Sequence, residues 1–269
     1  MTDEEFDALA GLANRMADRA GAAALTYFRS ARLTTDNKAG ETGFDPVTAG
    51  DREAEAAMRA LIAEERPEDG IFGEEHGRVE GTSGQTWILD PIDGTRAFIT
   101  GLPTWGTLIA LDDGEGGSLG MIDQPFTGER FLGVNGKGAW LSRHGGPPEV
   151  IKTRPCAELS EATFLTTDPF LFSEVEGPAF REIRAKSRLT RFGLDCYGYA
   201  MVALGQADLV VETDLAAYDI AGPAALVQAA GGVVTDWKGR DGRWGGRVIA
   251  AGDQRVHAEA LEILSQIPQ

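Results

Sequence analysis

The chain has 269 residues, 42% of them hydrophobic and 25% charged, which suits one large globular domain or two modest lobes. Its 42 acidic residues against 25 Lys and Arg leave a net charge of -17, which argues against a nucleic-acid backbone or an anionic membrane as partner. Two cysteines and three histidines (His76, His144, His257) exclude a disulfide framework, a CxxC metal site and an HExxH pair. The acidic start MTDEEFDALA has no signal pattern, and no apolar run approaches the ~20 residues that span a membrane, so a cytoplasmic location is expected.

Residues 3 to 29 carry Phe6, Leu9, Leu12, Ala13, Met16, Ala17, Ala20 and Ala24 at helical spacing and predict one long amphipathic helix. A Gly-rich stretch, DNKAGETGFDPVTAGD, follows, and within it Thr48 and Asp51 form a helix-start capping pair for the run 49 to 65. GIFGEE is a short strand ending in Glu74 and Glu75. TWGTLIAL, SLGMIDQP and ERFLGVNGKGAWL read as successive strands, with turns at DDGEGG and NGKG. The Gly/Pro-rich RHGGPPEV is the best internal boundary, dividing a single domain of residues 1–269 into lobes of about 1–145 and 150–269. Beyond it come the strand ATFLTT, a helix over 178–187, the strand LTRFG, a helix in DCYGYAMVALGQ and the strand ADLVVET. A helix in DIAGPAALVQAAGG closed by Gly231, the strands VVTDW and RVIAAG, and a helix over 254–266 complete the chain. Hairpins first and alternation later predict an α/β architecture layered from helices and mixed sheets.

The stretch QTWILDPIDGTRAF raises a chemical question. An apolar strand ends in Asp90, and Asp93 follows three residues later. Buried charges are costly unless something pairs with them. Pro91 biases Asp90 toward extended backbone, Gly94 permits a sharp turn, and Thr95 opens a helix whose free N–H groups suit an anion. Two carboxylates beside an anion site conflict unless a divalent cation lies between them; hard oxygen ligands suit Mg2+, and the Ile92 carbonyl offers a further oxygen. The same spacing also suits a plain loop, with Asp93 capping the helix and Asp90 solvated. An EF-hand does not fit, because its acids fall at loop positions 1, 3 and 5. Glu74 and Asp219 lie at other strand ends and helix starts, and such junctions can converge at one edge of an α/β sheet.

GEE, WILDPIDGTRAFITGLP and YDIAGPAALVQAAGG, in that order, together resemble the inositol monophosphatase family, over the whole chain. The resemblance implies an αβαβα sandwich of the inositol monophosphatase/fructose-bisphosphatase type and Mg2+-dependent, lithium-sensitive hydrolysis of small phosphate monoesters. Mn2+ would be a possible substitute for Mg2+, with two or three metals per site, and a homodimer is expected. It implies that Glu74, Asp90, the Ile92 carbonyl, Asp93 and Asp219 hold metal. Lys38 and Asp45 match a loop before the second helix, where Asp45 would help a weaker additional Mg2+. Gly94 and Thr95 would bind phosphate, and Glu74 and the Thr95 hydroxyl would orient and deprotonate the attacking water, which displaces the alcohol in line without a phospho-enzyme.

The finer match, through Arg96, FITG and RFGLDCYGYAMVALGQADLVVE, is to the histidinol-phosphate phosphatases of that family. In that subgroup Arg191 would reach the substrate, while Asp195 and Glu212 would line the pocket facing its amine and imidazole. Read alone, Arg191 is also a surface strand residue and Asp195 a helix cap, and Tyr197, Tyr199 and Met201 are core residues. Alternatives are a phosphatase for inositol 1-phosphate or nucleotide 3'-phosphates, or a phosphate- or metal-binding regulatory module.

Overall fold

The computed structural model describes residues 2–31, 33–37, 46–114 and 116–268. Lys38 and Asp45 lie outside the described residues. The first helix, α1 (Asp3–Tyr27), and α2 (Ala49–Glu65) pack against each other. Both begin with a capping box, and at α2 it is the Thr48–Asp51 pair that the sequence predicts. Two short strands, β1 (Thr35–Asn37) and β2 (Pro46–Thr48), pair antiparallel ahead of α2.

Eight strands form the larger sheet. They are β3 (Gly70–Gly73), β4 (Gly77–Val79), β5 (Thr86–Asp93), β6 (Gly106–Asp112), β7 (Gly117–Gln124), β8 (Glu129–Val134), β9 (Gly138–Arg143) and β10 (Glu149–Ile151), in the order β10-β9-β8-β7-β6-β5-β3-β4. Only β3 and β5 run parallel, and the six-residue α3 (Thr95–Thr100) follows β5. ERFLGVNGKGAWL resolves into β8 and β9 around the expected turn. The three-residue β4 and β10 carry no detectable period, and β10 begins inside RHGGPPEV, so the chain leaves this sheet only after Ile151.

The smaller sheet, in the order β12-β11-β13-β15-β14, comprises β11 (Thr163–Thr166), β12 (Leu189–Phe192), β13 (Leu209–Leu215), β14 (Val233–Asp236) and β15 (Gly246–Ala251). β11 is parallel to β12 and β13, and the other pairs are antiparallel. Its helices are α4 (Gly177–Lys186), α5 (Asp195–Ala203), α6 (Ala217–Ala229) and α7 (Gln254–Leu264).

Alternation along the strands sets the layers. Ile109 and Leu111 of β6, with Trp87 and Leu89 of β5, meet Met16 of α1 and Met58 and Ile62 of α2. Leu108 and Ile122 point the other way, toward Val202 of α5, Ile220 and Leu226 of α6, and Val210 and Val248 of the second sheet. Leu209, Val211 and Ile249 face outward against Phe180 and Ile183 of α4 and Val256 and Leu264 of α7. The result is the expected αβαβα sandwich with mixed sheets. Glycine seats α6 closely on the first sheet: a Cβ on Gly120 would stand 2.1 Å from the Gly222 carbonyl oxygen. Among the described residues no helix is long and apolar enough to cross a membrane.

Candidate active site

The motif after Trp87 ends a fully covered strand. Asp90 is 2% exposed, which rules out the solvated-loop reading. The β5–β6 register shifts between Asp90 and Asp93, where Pro91 has no N–H for the ladder. The irregularity is held from both sides: the Thr107 hydroxyl donates to the Pro91 carbonyl at 2.9 Å, and the Ile92 N–H donates to Asp90 Oδ1 at 3.0 Å. Gly94 then adopts φ 80, ψ 41, a left-handed conformation that glycine tolerates best, and it caps α3 with no side-chain hydrogen bond. Asp93 therefore does not cap the helix. A Cβ on Gly94 would lie 3.0 Å from Cβ and Cγ of Asp195, so α5 closes directly over this turn. The Thr95 hydroxyl donates to the Ile92 carbonyl at 3.2 Å.

Folding brings Asp219 to this place from the start of α6, where its Oδ2 accepts the Ala216 N–H at 2.7 Å. Asp90, Asp93 and Asp219 each offer a carboxylate oxygen, and these oxygens all lie within 4.8 Å of one another. Burial, then the negative charges of Glu74, Asp93 and Asp219, pushes the Asp90 carboxyl well above its ordinary value. Burial, then Asp195 and Asp219, does the same to Asp93. Carboxylates crowded this way repel one another unless a positive charge lies between them, and an all-oxygen donor set fits a hard divalent cation.

Glu74 follows β3 directly and continues the parallel ladder, its N–H donating to the Leu89 carbonyl at 3.1 Å. Its carboxyl is close enough to hydrogen-bond Asp90. The turn that carries it is anchored by Glu55 of α2, a fully buried residue that sequence reasoning missed. Glu55 Oε2 accepts the Glu75 N–H at 2.6 Å, and Oε1 accepts the His76 N–H at 3.1 Å and Arg59 Nε at 2.7 Å. The i,i+4 spacing to Arg59 reads as an ordinary helix-face pair, and the two N–H groups that give Glu55 its role lie 20 and 21 residues away.

A cavity of about 190 Å³ opens beside the cluster, lined by Asp93, Asp195, Cys196, Tyr199, Glu212 and Asp219 among others. Asp195 is the first residue of α5, at φ 45, and the helix start has no side-chain cap, so Asp195 is not a cap residue. Burial raises its carboxyl to about 6, with Arg96 opposing. Glu212, on β13, is 2% exposed and accepts from the Thr167 N–H at 2.7 Å, the Thr167 hydroxyl at 3.0 Å and the Thr166 hydroxyl at 3.2 Å. Burial outweighs these bonds and raises Glu212 to about 8. Arg191 is not brought in: its side chain is exposed on the edge strand β12, and it is not among the cavity's lining residues. Tyr199, read from sequence as core, is buried but also lines the cavity. The available signal was its place one helical turn after Asp195.

A sequence profile of the inositol monophosphatase family matches residues 5–269. The chain belongs to the inositol monophosphatase family. A protein named bifunctional phosphatase IMPL2, chloroplastic, from Arabidopsis thaliana is 40% identical, the match covering 98% of this chain and 77% of that protein. A protein named histidinol-phosphatase from Chlorobaculum parvum is 36% identical, covering 85% of this chain and 86% of its own length. A solved structure described as an inositol monophosphatase from Zymomonas mobilis is 44% identical, with a TM-score of 0.84, covering 98% of this chain and all of that one. The family consists of metal-dependent phosphomonoesterases, and this chain, with its acid cluster at the expected place, is an enzyme of that class acting on small phosphorylated metabolites.

Proposed function

We propose that the enzyme hydrolyses L-histidinol phosphate to L-histidinol and phosphate, a step of histidine biosynthesis, with Mg2+ as its metal and Mn2+ as a possible substitute. The observation that carries this reading is the buried Glu212 carboxyl in the cavity beside the acid cluster, with Asp195 lining the same space. Burial raises both carboxyls, so a cationic group of a bound substrate would favour their ionised forms. Histidinol phosphate brings an ammonium and an imidazole, whereas inositol 1-phosphate brings neither.

Glu74, Asp90, the Ile92 carbonyl, Asp93 and Asp219 would hold the metal, with Asp45 assisting a weaker additional ion. Bound there, the cation supplies charge neutralisation for the phosphate dianion and acidifies water. The chain's own groups do the rest. The N–H groups of Gly94 and Thr95 bind phosphate oxygens at the start of α3. The Thr95 hydroxyl, held by the Ile92 carbonyl, orients the attacking water, and Glu74 takes its proton. Asp195 and Glu212 position the organic part, and Lys38 would offset phosphate charge. Arg191 would reach the substrate only by extending across from the edge strand. A homodimer in the cytoplasm completes the proposal.

A second reading, inositol 1-phosphate as substrate, draws on the name of the 44% identical solved structure. A panel of histidinol phosphate, inositol 1-phosphate and phosphoadenosine phosphate separates them. We expect kcat/KM for histidinol phosphate to exceed that for inositol 1-phosphate by ~10²-fold or more, since an unpaired buried acid is costly. A higher value for inositol 1-phosphate overturns the substrate assignment and leaves the phosphatase class standing.

A further inference from the structure

Tyr199 is 3% exposed, yet its hydroxyl has no hydrogen-bond partner among the described residues. A buried phenol usually finds a partner, because the hydroxyl loses its water on burial. If the position required only a packed ring, phenylalanine would fill it without that loss. The location gives the hydroxyl a use. Tyr199 stands one turn after Asp195 on α5, and both residues line the cavity together with Glu212 of the facing strand. Asp93 and Asp219 line the same cavity, so Tyr199 stands among the acids that surround it. The other tyrosine of this helix differs: the Tyr197 hydroxyl is satisfied by Glu129 of β8, away from the cavity.

We infer that the Tyr199 hydroxyl is a substrate contact, donating a hydrogen bond to an acceptor atom in the organic part of the phosphate ester. With a cationic group of the substrate holding them ionised, Asp195 and Glu212 only accept, so the cavity then offers little to an acceptor such as an unprotonated ring nitrogen or an alcohol oxygen. Tyr199 supplies that complement. An ester with a cationic group on one side and a neutral acceptor on the other then satisfies all three side chains, and a neutral imidazole beside an ammonium has that pattern. The inference rests on the cavity holding the organic part of the substrate, as in the proposed function.

The test is Tyr199→Phe, assayed with histidinol phosphate and with p-nitrophenyl phosphate, alongside thermal unfolding of the metal- and ligand-free protein. We expect kcat/KM for histidinol phosphate to fall about tenfold, mainly through KM, which is the loss of one uncharged hydrogen bond. The loss with p-nitrophenyl phosphate should be at least about fivefold smaller, since that ester has no ring nitrogen to bind. The ligand-free variant should unfold no earlier than the wild type, because the hydroxyl it loses is unpaired. Equal losses with both esters, no loss with either, or a lowered Tm would each overturn the inference, the last by revealing a structural partner. If the wild-type enzyme prefers inositol 1-phosphate, the proposed substrate fails, and the same ratio measured with inositol 1-phosphate against p-nitrophenyl phosphate decides the role of Tyr199.

Discussion

The backbone N–H of Cys196 donates to Asp93 Oδ2 at 2.6 Å, across 103 residues of sequence. One carboxylate thus belongs to the acid cluster at the end of β5 and also fixes the first turn of α5, which carries Asp195 and Tyr199. Asp93 and Asp219 both belong to the cluster and line the cavity, and Asp93 also holds the start of α5, so a change at Asp93 acts on both.

Asp93→Asn keeps an acceptor for Cys196 but removes a charge from the cluster. We expect kcat/KM to fall by ~10²-fold or more at saturating Mg2+, with an unchanged circular dichroism spectrum. In EDTA the variant should be at least as stable as the wild type, because one of several crowded like charges is gone. Near-wild-type turnover would remove Asp93 from the metal site.

Glu212 predicts a pH dependence of stability in the metal- and substrate-free protein. Its carboxyl rises from an ordinary 4.5 to about 8 in the fold. Between those values the folded state holds a proton that the unfolded chain has released, so stability is full below 4.5 and declines as pH rises toward 8. Glu212→Gln resembles the protonated form at every pH. Its Tm advantage over wild type should therefore grow from pH 5 to pH 8, read by thermal unfolding across that range. A pH-independent difference would contradict the assignment. The same variant should narrow the preference for histidinol phosphate over inositol 1-phosphate.

Glu55→Ala should loosen the turn that carries Glu74. It removes the acceptor of the Glu75 and His76 N–H groups and leaves Arg59 without its buried partner. We expect destabilisation of about 3 kcal/mol in urea unfolding and a further loss of kcat of roughly tenfold under folded conditions. Loss of stability with full kcat would mean that Glu74 holds its place without this anchor.

If the proposed weaker metal position exists, lithium should compete for it and inhibit more strongly than sodium at equal ionic strength. Steady-state rates with each chloride at a fixed Mg2+ concentration test this, and equal inhibition would reduce the effect to charge screening.

Much of the fold was legible locally because its signals are local. The helical period of residues 3–29, the Thr48–Asp51 capping pair and the strand leading to Asp90 all depend on neighbours within a turn or two; the helix forms over Asp3–Tyr27 and the capping pair as expected, while the strand does not end at Asp90 but continues through Pro91 to Asp93. The three-residue strands β4 and β10 were not legible, since three residues are too few to show a period and their pairing comes from the adjacent hairpin strands. The same division runs through the site. Residue type and spacing singled out Asp90, Asp93 and Asp219, and the family resemblance added Asp195 and Glu212. Tertiary structure decided that the oxygens of the first three come within 4.8 Å, that Glu212 is enclosed by Thr166 and Thr167, and that Tyr199 turns into the cavity while Arg191 stays on an exposed edge. Residue type and short-range spacing state what a side chain can do. Which groups share one desolvated space depends on strand order, on the register shift at Pro91 and on how closely α6 can approach the sheet, and these follow only from packing the whole chain.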